Sequence, residues 1–453
     1  MSARRRSRIT VKAGSSVSTV LQQLEWLPDV LLSKTFSYLA LSDNVQWSYC
    51  SRRIRAISLL PPSSPVSMEL RSDVGASIVL YHPQDLLVLS FDTMCARLRD
   101  GCLLDKFTSS MAPTLRSLSI TASPYHTWTT LSQLTNLTQF NLNAPIWNST
   151  QTRKIVGHLP MSIRSVRLDA PAALATLLCV QRRFPLLTSL SLPRFHGDRH
   201  YIDPSETIVE RSLTNGPMPP MSDLVRLQIS LGLPEHALQV MAIVPNVTEL
   251  EATFTGAYFI QRRRTLAATV ESIPSSLTSL KISGLSVTDH SNQLTELGRL
   301  SCLLQVLHVT MEKSGGPLFD RTCHGLNLST SIPEVCTSTL TSLAVINYTD
   351  DGLLQLPLLP RLQTLRLSTQ LPDWSTLPTQ CPNLRCLDVR QMRLSCIEFD
   401  IEQSNAIPPA LVALRQLRTF VYPRVAEFDE LYFPAKIAAL KQLRDAKLGF
   451  TVE

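Results

Sequence analysis

Apolar residues in this chain recur in a six-residue phrase, apolar-x-x-apolar-x-apolar, from residue 86 onward. It reads LLVLSF at 86, LRSLSI at 115, LTQFNL at 137, IRSVRL at 163, LTSLSL at 187, LVRLQI at 224 and VTELEA at 247. It continues with LTSLKI at 277, LQVLHV at 304, LTSLAV at 340, LQTLRL at 362, LRCLDV at 384, LRTFVY at 417 and LRDAKL at 443. The alternation in its second half is that of a strand with one buried face. The pattern therefore predicts fourteen strands.

The intervening segments have a different period. ALATLLCVQRRFP, EHALQVMAIVP, TLAATVESIP and DDGLLQLPLLP predict helical or 3₁₀ stretches, and prolines stand shortly before many strands: Pro113, Pro160, Pro185, Pro245, Pro274, Pro360 and Pro382. Proline cannot continue a helix and biases the residue before it toward extended geometry, so each one releases the chain into the next strand. The unit is strand, turn, helix. Such a unit cannot bury its leucines alone; stacked neighbours build one continuous core, with parallel strands on a concave face and helices on the convex side.

Residues 26–60 follow another pattern. In LPDVLLSKTFSYLALSD, Leu27, Val30, Leu31 and Tyr38 form one helical stripe, and Leu32, Phe36 and Leu39 a second. Ser42 is placed to cap a second helix with Asp43 in its first turn; there Trp47, Cys50, Ile54 and Ile57 share a face, with Arg52, Arg53 and Arg55 near its end. A hairpin this short holds no core of its own and needs partners on two sides.

The repeats resemble the leucine-rich-repeat family, whose units of 20–29 residues match most of the spacings here. SLAVINYTDDGLLQLPLLPRLQTLRL (342–367) looks most like its cysteine-containing subclass. Where many such repeats carry Asn or Cys, this chain has Ser123, Pro145, Pro171, Phe195, Gly232 and Gln370, which puts the usual side-chain ladder in doubt. The hairpin resembles an F-box, through Leu27-Pro28, Leu31, Leu32, Phe36, Leu39, Leu41, Ser42-Asp43 and Ser51-Arg52-Arg53; Thr35 and Ile54 depart from the usual Ile and Trp. That resemblance implies an α/β leucine-rich-repeat solenoid behind a small all-helical F-box. It divides the chain into a basic leader expected to be disordered (1–24), the F-box-like hairpin (26–60), a linker with the stiff PPSSP leading into the solenoid (61–85), and about fourteen irregular units (86–453).

The F-box resemblance also implies a function. Leu27, Pro28, Leu31, Leu32, Phe36 and Leu39 would face a Skp-type adaptor, and through it a cullin. The repeats would hold a protein target for ubiquitination and degradation, acting through proximity. The alternative is an adaptor-independent repeat scaffold in which both stripes cap the open end of the solenoid. Outward strand positions are small, polar and of mixed sign, and Arg167, Arg226, Glu249, Glu251, Lys281, Arg366 and Arg390 are the candidates for target contact. The insertions HGDRHYIDPSETIVERS and MEKSGGPLFDRTCHGLN are further candidates for binding.

Composition narrows the classes. The net charge is +7, of which Arg4, Arg5, Arg6, Arg8 and Lys12 supply five, leaving +2 for the remainder, so no nucleic-acid partner is expected. The Arg- and Ser-rich start also reads as a mitochondrial transit peptide or a nuclear localisation signal. No apolar run is long enough to span a bilayer, so no membrane association is expected, and the F-box reading places the protein in the cytoplasm, the nucleus or both. The ten cysteines lack CxxC spacing and the nine histidines are scattered, which suits reduced core thiols and no metal or cofactor. P-loop, GxGxxG, HExxH and GxSxG motifs are absent, so the chain is expected not to be an enzyme.

Overall fold

A computed structural model describes residues 66–70, 86–92, 115–121, 129–195, 220–255, 259–286, 294–312, 326–329, 331–347, 354–368, 371, 374–390, 411, 413–421 and 451–452. The leader, the linker residues 61–65 and the F-box-like hairpin, with Leu27, Pro28, Leu31, Leu32, Phe36 and Leu39, lie outside the described residues. The chain forms two compact units, Met1–Ala144 with His158–Ile163, and Pro145–Gly157 with Arg164–Glu453.

In the first unit β1 (Val66–Leu70), β2 (Leu86–Asp92), β3 (Ser117–Thr121) and β4 (Gln139–Asn143) pair in parallel, in sequence order. β1 stands one strand ahead of the six-residue phrase.

The second unit repeats the same step. It contains β5 (Ser165–Asp169), β6 (Ser189–Leu192), β7 (Arg226–Leu231), β8 (Glu249–Phe254), β9 (Ser279–Ser286) and β10 (Val306–Glu312). After the short β11 (Leu326–Asn327) come β12 (Ser342–Asn347), β13 (Leu354–Gln355), β14 (Thr364–Leu367), β15 (Cys386–Asp388), β16 (Thr419–Val421) and β17 (Thr451–Val452). Except for β11 and β13, which pair with each other, these strands form one parallel sheet in sequence order. A parallel sheet whose every strand neighbours the next in sequence, one per repeat, fits a leucine-rich-repeat solenoid.

The apolar positions of the phrase build the core. Leu187, Leu190 and Leu192 are at most 2% exposed, as are Leu277, Leu280 and Ile282, while the residues between them stay half-buried or exposed. Each such leucine contributes about 1.5–3 kcal/mol on burial. Across the core lie α1 (Ser149–His158), α2 (Leu174–Arg183), α3 (Pro234–Ile243), α4 (Phe259–Ser272) and the single turns α5 (Glu334–Thr337) and α6 (Leu377–Gln380). Pro185, Pro245, Pro360 and Pro382 each open the turn that precedes a strand.

Two expectations are corrected. In DDGLLQLPLLP, Leu354–Gln355 forms a strand paired with Leu326–Asn327, and residues 356–359 have no helical structure. Pro357 and Pro360 remove two donors and force extended geometry on the residues before them, so the leucine spacing cannot be realised as a helix. The final strand also falls later than LRDAKL predicts: Thr419 of β16 pairs with Thr451, and residues 443–448 lie outside the described residues.

Register between repeats is held at the second position of the phrase. From Arg164 to Arg385, the carbonyl at this position accepts two backbone N–H groups from the next repeat, at 2.8–3.1 Å. Thr188 and Ser189, for example, both donate to Arg164, and Thr278 and Ser279 both donate to Thr248. Where the second residue is threonine its hydroxyl adds a third bond to the same carbonyl: Thr138 to Arg116 in the first unit, and Thr188 to Arg164, Thr248 to Val225, Thr278 to Thr248 and Thr341 to Gln305 in the second, at 3.0–3.4 Å. These hydroxyls hold one repeat to the next, on the strand side of the unit. At the position where many repeats carry Asn, Phe195 is fully buried, and Ala172 bonds through its N–H to the Arg194 carbonyl.

The second unit's sheet carries an irregularity. β9 carries one more residue than β10 between Ile282 and Leu285, a bulge at Ser283–Gly284. Gly284 has φ +77°, and its carbonyl accepts from Arg262 Nη1 at 2.6 Å. A side chain there would collide with the main chain of Phe254.

Candidate functional site

The face of the second unit's sheet opposite the leucine core is where side chains from many repeats converge. Strand pairing places the fifth residue of each phrase in one row: Arg167, Ser191, Gln228, Glu251, Lys281, His308, Ala344, Arg366, Asp388 and Val421. Neighbours in such a row stand about 4.8 Å apart. Alternation along each strand turns these residues away from the leucines.

The centre of the row is hydrogen-bonded from strand to strand. Ser191 Oγ donates to Gln228 Oε1, and Gln228 Nε2 donates to Glu251 Oε1 at 2.8 Å. One position along, Arg226 Nε lies 3.0 Å from Glu249 Oε2, both side chains remaining well exposed. Together with Lys281 these groups line a shallow depression of about 180 Å³ over β6 to β9. The amide of Gln228 is thus oriented on both sides, and the Glu251 carboxylate keeps acceptor capacity toward solvent.

Lys281 and Arg167 are exposed and, among the described residues, have no carboxylate within ion-pair distance. His308 follows Lys281 in the row. Burial holds its imidazole below the ordinary value; Lys281 and Arg366 push the same way, against the opposing pull of Glu251. The neutral form of the ring is therefore favoured.

Farther along, the row closes over itself. Asp388 is only 6% exposed although its position faces outward. Arg390 Nε reaches both of its oxygens at 3.0 Å, the Arg390 N–H donates to Oδ1 at 3.1 Å, and Arg366 Nε lies 3.6 Å from Oδ2. Of the seven residues predicted to contact a target, Arg226 and Glu249 thus pair with each other, Arg366 and Arg390 share Asp388, and Glu251 is bound by Gln228. Ser191, Gln228 and Asp388, which are not among those seven, organise the face. Of the two insertions, 196–212 lies outside the described residues, and the other contributes only Met311–Glu312 to β10 and Leu326–Asn327 to β11.

No protein-family model and no curated protein matches this chain. Among solved structures it is similar to the leucine-rich repeat-containing protein LegL7 from Legionella pneumophila, at 15% identity and a TM-score of 0.35, over 76% of this chain and 93% of that one. It is also similar to the internalin InlF from Listeria monocytogenes, at 15% identity and a TM-score of 0.34, over 86% and 84%. A leucine-rich-repeat protein of Leptospira interrogans matches at 14% identity and a TM-score of 0.37, over 88% and 98%. Likeness at this level assigns no function, and the repeat architecture rests on the strand order and buried leucines of the chain itself.

Among the described residues no group of three or more His, Cys, Asp or Glu side chains is placed to hold a metal ion, and no helix is long and apolar enough to cross a membrane. Cys302, Cys336 and Cys381 are buried free thiols. Burial pushes Cys302 up to about 11 and Cys381 up to about 12. Thiols held protonated in this way are poor nucleophiles.

Proposed function

We propose that this chain is a non-enzymatic protein-binding scaffold, with the open face of β6 to β9 holding a partner protein. The observation that carries this reading is the Ser191–Gln228–Glu251 chain beside Lys281, in which four adjacent strands present oriented hydrogen-bonding groups and charges of both signs in a shallow depression. Such a surface suits a polar protein contact. A photo-crosslinking residue at Gln228, by Gln228→benzoylphenylalanine, should trap the partner, while the same residue at exposed Arg264 on α4 should not. Equal crosslinking at both positions would remove the open face as the binding surface.

We further propose that residues 26–60 tether this scaffold to a Skp-type adaptor and through it to a cullin, making the chain the substrate-recognition subunit of an SCF-type ubiquitin ligase in the cytoplasm, the nucleus or both. The F-box-like residues of that segment support this. Co-purification with the adaptor tests it: the intact chain should retain the adaptor, and a folded variant with Leu27→Ala, Pro28→Ala and Leu31→Ala should not. Binding by neither chain would leave an adaptor-independent scaffold, and equal binding by both would remove Leu27, Pro28 and Leu31 as the adaptor contact.

A further inference from the structure

Arg226, Arg366 and Arg390 of the open face have carboxylate partners, and among the described residues a group of arginines on one edge of the same sheet has none. Arg361, Arg385, Arg415 and Arg418 are all exposed. They belong to the turns and strand starts of β14, β15 and β16, and among the described residues no carboxylate pairs with any of them. Among the described residues 354–368, 371, 374–390, 411 and 413–421 the one acid is Asp388, which is engaged on the open face.

Their placement follows from the shared-carbonyl ladder. The Arg385 N–H donates to the Gln363 carbonyl and the Arg418 N–H to the Arg385 carbonyl, each at 2.8 Å, so Arg385 and Arg418 occupy consecutive rungs about 4.8 Å apart. Arg361 stands two residues before Gln363 and Arg415 three before Arg418, in the preceding turns. Like charges on adjacent strands oppose each other. After Arg164, the rungs from Thr188 to Gln363 are neutral at the same position, so only at this end do cations stand on consecutive rungs of the second unit.

We propose that the amino-terminal edge of β14 to β16 is a docking edge for an extended, acidic segment of a partner protein. All four cations are arginines, whose planar forks hold carboxylates through two parallel hydrogen bonds. Same-side residues of an extended segment are about 6.8 Å apart, within reach of long side chains rooted on rungs about 4.8 Å apart. A single-stranded nucleic acid fits less well, because such sites interleave cations with aromatic rings for the bases, and the described residues of this edge expose no aromatic side chain; Phe420 is buried in the core. This surface is distinct from the depression over β6 to β9 and does not depend on the function proposed for it.

The test uses the full chain and a fluorescein-labelled peptide of alternating glutamate and serine, followed by anisotropy. The peptide should bind, with affinity falling as salt is raised. Arg385→Glu with Arg418→Glu should weaken binding roughly tenfold or more, and Arg264→Glu on α4 should leave it unchanged. Should charge reversal disturb folding by circular dichroism, Arg385→Gln with Arg418→Gln serves in its place, with the same direction expected. The proposal is overturned by no binding, by equal binding of a glutamine–serine peptide, or by unchanged affinity in the edge variants. Tighter binding of a single-stranded oligonucleotide of equal charge, lost on the same substitutions, would overturn it in favour of a nucleic-acid edge.

Discussion

Asp388→Ala should destabilise the second unit by about 1–3 kcal/mol. The carboxylate is 6% exposed and takes three hydrogen bonds from Arg390 and an ion pair from Arg366. Removing one member of a fully buried pair costs about 3–5 kcal/mol, because the other charge is stranded. Here the side chains of Arg366 and Arg390 are 37% and 51% exposed, so water recovers part of that cost. Arg366 Nε is the exception: it is buried with no hydrogen-bond partner, and Asp388 is its neutralising charge. Asp388→Asn should cost less than Ala, since an amide oxygen can still accept the Arg390 N–H. Urea unfolding followed by circular dichroism measures both, and in Arg366→Ala the Asp388→Ala penalty should shrink. A penalty below about 0.5 kcal/mol for Asp388→Ala would refute the argument that this carboxylate holds the end of the row together.

Three further outcomes can be measured with the same chain. Thr188→Val should lower stability by about 0.5–1.5 kcal/mol through the lost bond to the Arg164 carbonyl, whereas Gln363→Val, at the same position but without a side-chain bond to the preceding carbonyl among the described residues, should cost less. Gly284→Ala should cost more than about 2 kcal/mol in urea melts, from the φ of +77° and the collision with Phe254 together. The His308 imidazole is depressed in the folded chain, so its contribution to stability is fully present above pH 6.5 and is lost as pH falls through the lower folded value. Urea midpoints at pH 7.5 and 5.5 should therefore differ less in His308→Gln than in the parent.

The strands were legible because the phrase carries two signals at once, a leucine that anchors the turn and an alternation that faces the core, and Leu187, Leu190 and Leu192 show both. Helices α2 and α3 were legible for a related reason: Pro185 and Pro245 mark where each must end. DDGLLQLPLLP misled because its leucines keep a helical spacing while Pro357 and Pro360 forbid the backbone that would use it. LRDAKL misled because the phrase constrains which face a strand buries but not which residues its neighbour pairs with. The open face was legible as a set of positions only. That Arg226 meets Glu249, and that Arg366 and Arg390 meet over Asp388, depends on register between repeats whose lengths run unevenly along the chain. The recurrent Leu-Thr at 137, 187, 277 and 340 was a visible trace of the hydroxyl bonds, and its meaning required the carbonyl one repeat earlier.

The doubly used carbonyls have a consequence for how such a chain can vary. Because each strand is clamped to the one before it at its first rung, a turn on the far side can lengthen or shorten without moving the residue that the strand presents on the open face. Spelling and spacing are thereby uncoupled. The row from Arg167 to Asp388 behaves as a line of type in which any letter can be exchanged by a single substitution while the intervals between letters stay constant.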